Sequence, residues 1–180
     1  MTGGGMIRKV HGFALLDLIF VIGIIGVLCA IALPRLLLAK QVAGAASAIG
    51  SMRAINSAEL TFAITCGAGF YAPNLTTLGT PPTGTREAFI SPGLGESNVV
   101  TRSGYLIQVA ATPYAGAPAS CNGLADGSTG RGFKASADPD EPGNVRFFAT
   151  NANGIIWENT SSLLAVTPET GAPTAGSPLH

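Results

Sequence analysis

Charged side chains are scarce in this chain: 11% of its 180 residues, with Lys and Arg balancing Asp and Glu to a formal net charge of zero. A typical soluble domain carries about 25%. So little charge, evenly split, removes the electrostatic basis for binding nucleic acid or an anionic surface. Histidine is rarer still: His11 and His180, near the two ends, are the only ones. That denies the chain the commonest residue of acid–base, zinc and nucleophilic chemistry. It also lacks G-x-S-x-G, H-E-x-x-H and C-x-x-C patterns. The glycine pairs Gly67-Ala68-Gly69 and Gly93-Leu94-Gly95 lack the third glycine and the strand–helix setting of a phosphate-binding loop. Enzymatic function is not expected, and no cofactor is called for.

Cysteine is limited to three positions. Cys29 lies in an apolar run, whereas Cys66 and Cys121 lie in the polar half and could pair. Pairing would place the domain in an oxidising compartment and, in the chain-entropy view, contribute about 4 kcal/mol. The other reading is three free, buried thiols.

Hydrophobic residues, at 47% of the chain, are present in excess and concentrated at one end. After MTGGGMIRKVHG (residues 1–12), residues 13–34 are apolar except for Asp17. Roughly 20 such residues span a bilayer as a helix. A cleaved secretory signal is a poor fit, because the run is long and has no A-x-A site in an exposed turn. A lipoprotein signal at Cys29 is disfavoured by Leu28, where a small residue is needed. A plain anchor explains the length but not the acid. A carboxylate within a membrane span is costly, by about 2.5–3.5 kcal/mol at a helix centre and less near an end, so it needs a partner.

Gly12-Phe13-Ala14-Leu15-Leu16-Asp17, the apolar run behind it and Pro34 together resemble the class III leader junction of type IV pilins and type II secretion pseudopilins. The resemblance implies cleavage after Gly12 by a prepilin peptidase and N-methylation of Phe13. Asp17 would become the fifth mature residue, where the family usually has glutamate, and Pro34 the twenty-second. It further implies that Asp17 pairs with the terminal amine of a neighbouring subunit, so that both charges leave water together. The partners implied are other copies of the chain or other pilins, the peptidase, an inner-membrane assembly platform and the lipid bilayer. The implied location is the bacterial inner membrane, single-pass with the N-terminus cytoplasmic, followed by a periplasmic or cell-surface filament. Met6 offers a second start that would shorten the leader. Loss of Arg8 and Lys9 leaves eight basic against ten acidic side chains, a formal −2, so direct nucleic-acid binding is not expected. A single-pass anchored periplasmic binding module is the alternative reading.

The helical pattern continues beyond the apolar run, with Leu38, Val42, Ala45, Ile49, Met52 and Ile55 at three- and four-residue steps. One helix from about Phe13 to Thr65 would be roughly 80 Å long. Pro34 interrupts its hydrogen bonding, and Gly26 with Ala30 forms a small-xxx-small pair that permits close helix approach. Gly67, Gly69 and Pro73 mark its end. Residues 66–103 read as loop, with a short helical turn near Asn74 to Leu78. Strands are expected at 105–109, 132–136, 145–150 and 155–158, the last two joined at Asn151-Ala152-Asn153-Gly154. The organisation expected is therefore a leader (1–12), a transmembrane helix (13–34), its amphipathic continuation (35–65), a globular domain (66–167) and a loose Pro/Gly/Ala-rich tail (168–180). The fold class is α+β, a long N-terminal spine helix packed on a small antiparallel sheet. Asp138, Asp140 and Glu141 are the best metal candidates. Calcium takes six to eight oxygens, and the resemblance favours calcium in a loop near the C-terminus. A solvated acidic loop is the plainer reading.

Overall fold

The computed structural model describes residues 12–141 and 143–179, with side chains from Leu15 onward. The fold is α+β: a long N-terminal helix and a six-stranded antiparallel sheet. Two compact units divide between Gln41 and Val42. Helix α1 runs from Gly12 to Thr65, passing through Pro34.

In the first unit the α1 residues from Leu15 to Lys40 are all exposed, and Gln41 is half-buried. In the second unit one face of α1 is buried, through Ala45, Ala48, Met52, Ile55, Ala58 and Phe62. These recur at three- and four-residue steps, the spacing of one helical face. Of the expected stripe, Ala45, Met52 and Ile55 are in the core and Ile49 packs against it, but Leu38 and Val42 are exposed. The helix ends where the Phe62 carbonyl accepts from both Cys66 and Gly67 amides, and Ala68 and Gly69 turn to positive φ. Gly69 suits that left-handed backbone; Ala68 adopts it at a steric cost.

Two short helices follow. In α2 (Leu75–Gly79) the Asn74 side chain caps the first turn by accepting from the Thr77 amide. Next come α3 (Pro92–Gly95) and the strands β1 (Val99–Arg102), β2 (Tyr105–Ala110), β3 (Lys134–Pro139), β4 (Phe147–Asn151), β5 (Ile156–Asn159) and β6 (Ser177–Pro178). The strands pair in chain order, all antiparallel. Ser103-Gly104, both at positive φ, make the two-residue β1–β2 turn. The inner face of the sheet, including Val100, Tyr105, Ile107, Val109, Ala135, Ala137 and Phe148, forms one core with α1. Asn56 on α1 fixes the β4–β5 hairpin by donating to Thr150 and to the Gly154 carbonyl.

Two sequence expectations are corrected. Residues 99–102, read as loop, form β1. The tail expected to be loose is held. β6 pairs with β5, the Leu179 amide donates to the Ile156 carbonyl, and Asn151 donates to the Pro168 and Gly171 carbonyls at 2.9 and 2.6 Å. Pro and Gly rule out a helix here, but they leave carbonyl acceptors in place, and those acceptors anchor the segment. Residues 160–176 thus lie across the outer face of the sheet. Ser162 donates to Asp138, Lys134 to the Leu164 carbonyl, and Leu163 is buried.

Candidate functional site

The candidate assembly site is the exposed apolar length of α1. This helix is long and apolar enough near its N-terminus to cross a membrane. From Leu15 to Leu33 Asp17 is the only charged side chain, and it is exposed. Gly26 and Gly23 leave open space: a Cβ built on either would meet nothing within 4 Å. With Ile19, Phe20, Ile24, Val27 and Leu28, Gly23 lines a shallow apolar groove, a surface shaped for close approach by another helix. Pro34 has no amide hydrogen to donate to Ala30, and that carbonyl loses its intrahelical partner. Residues 1–11, most of the expected leader, lie outside the described residues. Gly12 and Phe13 open α1, and no side chain is described for Phe13.

Cys66 and Cys121 form a disulfide, while Cys29 is free and exposed. The bond ties the end of α1 to the long β2–β3 connection, and the Cys121 amide also donates to the Cys66 carbonyl. An antiparallel bridge between Tyr71 and Gly130 reinforces this junction.

Asp138, Asp140 and Glu141 do not form a ready ligand set. Asp138 sits on the outer face of β3, where it accepts from Ser162; burial raises its pKa and the Ser162 bond opposes the rise. The Asp140 amide donates to the Gly104 carbonyl. Among the described residues no group of three or more His, Cys, Asp or Glu side chains gathers to hold a metal ion. An open groove of about 600 Å³ lies in the segment from Gly79 to Glu96, lined by Arg86, Glu87, Phe89 and Glu96 among others.

Sequence reasoning missed Glu59. Its side chain is fully buried on the core face of α1. One carboxyl oxygen accepts from the Ala72 amide at 2.8 Å, and the other has no protein partner. Burial pushes its pKa well above the carboxylate range, with the Ala72 bond pulling weakly the other way. A signal was available: position 59 lies four residues after Ile55 and three before Phe62, where the predicted stripe continues past its last named residue. The Arg146–Glu158 pair, by contrast, is a surface feature at the sheet end, where each partner holds the other in its charged form.

Compared with protein-family models, with curated proteins and with solved structures, the chain matches none.

Proposed function

We propose that this chain is a structural filament subunit of the type IV pilin and pseudopilin kind, made as a membrane-embedded precursor and assembled by packing of its N-terminal helices. One observation carries the reading: α1 is a single helix with two kinds of surface. Its later half is buried on one face within the globular unit, while residues 15–33 are exposed all round and, apart from Asp17, apolar. A continuous exposed apolar surface of that length is not stable in water. Lipid covers it in the precursor, and neighbouring copies of the same helix cover it in a filament.

Asp17 supports an assembly role over a simple anchor. A carboxylate in this position is tolerable when paired, and the terminal amine of a neighbouring subunit, created by cleavage after Gly12, would supply the partner. The disulfide agrees with export of the globular unit to an oxidising compartment. In this reading the chain catalyses nothing. It serves as substrate for a prepilin peptidase and as cargo for an inner-membrane assembly platform.

The test is the mass and N-terminal sequence of the mature protein, with recovery of sheared filaments. The expected mature chain begins at a methylated Phe13. Gly12→Arg should leave full-length precursor in the membrane. Asp17→Ala should be processed normally yet be absent from filaments. An unprocessed chain found only as monomer in detergent would instead support an anchored binding module, for which the groove between Gly79 and Glu96 is the place to look for a ligand.

A further inference from the structure

We propose that residues 160–179 form a strap that opens as one unit while the helix–sheet core stays folded, uncovering the outer face of the sheet and the edge of β5. The strap adds little to the core it covers. The buried cluster that joins α1 to the inner sheet face contains no strap residue, and only Leu179 packs at its margin. Within the described strap, Leu163 is the one fully buried large apolar side chain.

The strap is held mainly by polar contacts: Ser162 to Asp138, Lys134 to the Leu164 carbonyl, Asn151 to the Pro168 and Gly171 carbonyls, and the Gly171 amide to Asn153. Thr112 donates both its amide and its hydroxyl to the Glu169 carboxylate, the Ala152 amide donates to the Glu169 carbonyl, and the two-residue strand β6 pairs with β5. Each of these groups finds a partner in water when the strap lifts, so each bond contributes far less net than its intrinsic strength.

The layer beneath the strap is also poorly satisfied. Six buried side-chain polar atoms among the described residues have no protein partner. Four of them, on Ser136, Asp138, Trp157 and Thr167, belong to the outer sheet face or to the strap. Register puts Ser136 and Trp157 on one face, since both pair with Ala149, and Asp138 follows two residues after Ser136. Opening returns these four atoms to water, which offsets part of the contact energy lost. Thr160, Ser161 and Ser162, all exposed, supply the hinge.

Opening would turn β5 into a free sheet edge, with unpaired backbone groups available for strand pairing. This inference does not depend on the filament reading.

The test is amide hydrogen exchange on the full chain in detergent micelles, read at the Thr112, Gly171 and Leu179 amides, which bond across the strap boundary to Glu169, Asn153 and Ile156 respectively. The three should exchange together, at least about tenfold faster than the β2–β3 ladder. Quenching of Trp157, the sole tryptophan and half-buried in the closed state, by acrylamide should rise at denaturant concentrations that leave the ladder protected. Asn151→Ala should speed strap exchange by roughly two- to tenfold without changing the ladder. If Asn151→Ala unfolds the sheet, Lys134→Met tests the same point from the half-exposed side. Strap amides that exchange only at the ladder's rate would overturn the proposal. So would three unrelated rates that simply fall with distance from the C-terminus.

Discussion

Glu59 gives the globular unit a pH response opposite to that of most carboxylates. It lies in the globular unit, well beyond the apolar stretch of α1, and its neutral form is favoured there by burial. In the unfolded chain it titrates near the usual value of about 4.3. The stability it contributes is therefore complete below that value and is lost as pH rises through the raised folded value. Glu59→Gln keeps an oxygen for the Ala72 amide and cannot ionise. Its melting temperature should change less between pH 5 and pH 8 than the parent's, and it should exceed the parent's at pH 8. Thermal melts of the two proteins at both pH values check this. Asp138 is shifted in the same direction and Glu158 in the opposite one, but both are common to the two proteins and cancel in the comparison. Glu59 lies one step beyond the predicted stripe, which ended at Ile55, so continuing that spacing would have placed it in the core. What the sequence could not reveal is the Ala72 amide that receives it, which depends on how the chain turns after Gly69.

Between elements, the closest approach is glycine against glycine. A Cβ on Gly79, at the end of α2, would lie 2.7 Å from Gly95 Cα, and one on Gly95 would lie 2.5 Å from Gly79 Cα. The backbones of α2 and α3 thus touch with no side chain between them. Alanine at either position should destabilise the fold by about 1–3 kcal/mol through overpacking. Gly93, two residues away with open space around its Cβ direction, should accept alanine with little effect. Denaturant unfolding of the three variants separates the cases. The same Gly93-Leu94-Gly95 run carried almost no weight as a binding motif; its meaning is in packing, and needs the partner segment to be seen. Strands β2, β4 and β5 were legible because Tyr, Val, Ile, Phe and Trp cluster in them between turn residues. β1 was not, since Val99, Val100 and Thr101 form too short a run beside Ser97, Asn98 and Ser103. β6 was illegible for another reason: it is a strand by virtue of pairing with β5, not by composition.

At the scale of the whole chain, the helix–sheet architecture was readable, because a long apolar run followed by a continuing helical stripe leaves few alternatives. The strap was not, because its anchors are backbone carbonyls that every sequence possesses. The disulfide joins residues separated by 55 positions, and its loss should cost about 4 kcal/mol in the chain-entropy model. Cys121→Ser should unfold at correspondingly lower denaturant, and reductant should bring the parent to the same midpoint. That covalent ring has a mechanical consequence as well. A molecule pulled by its two ends transmits tension across the sulfur bridge rather than along the segment between Cys66 and Cys121. At about 3.4 Å per residue, that segment withholds roughly 180 Å of contour length from any stretch the tether can undergo. In an optical-tweezers extension the oxidised chain should fall short of the reduced one by about that distance. Under load, the bridge makes the segment from Cys66 to Cys121 an inextensible link.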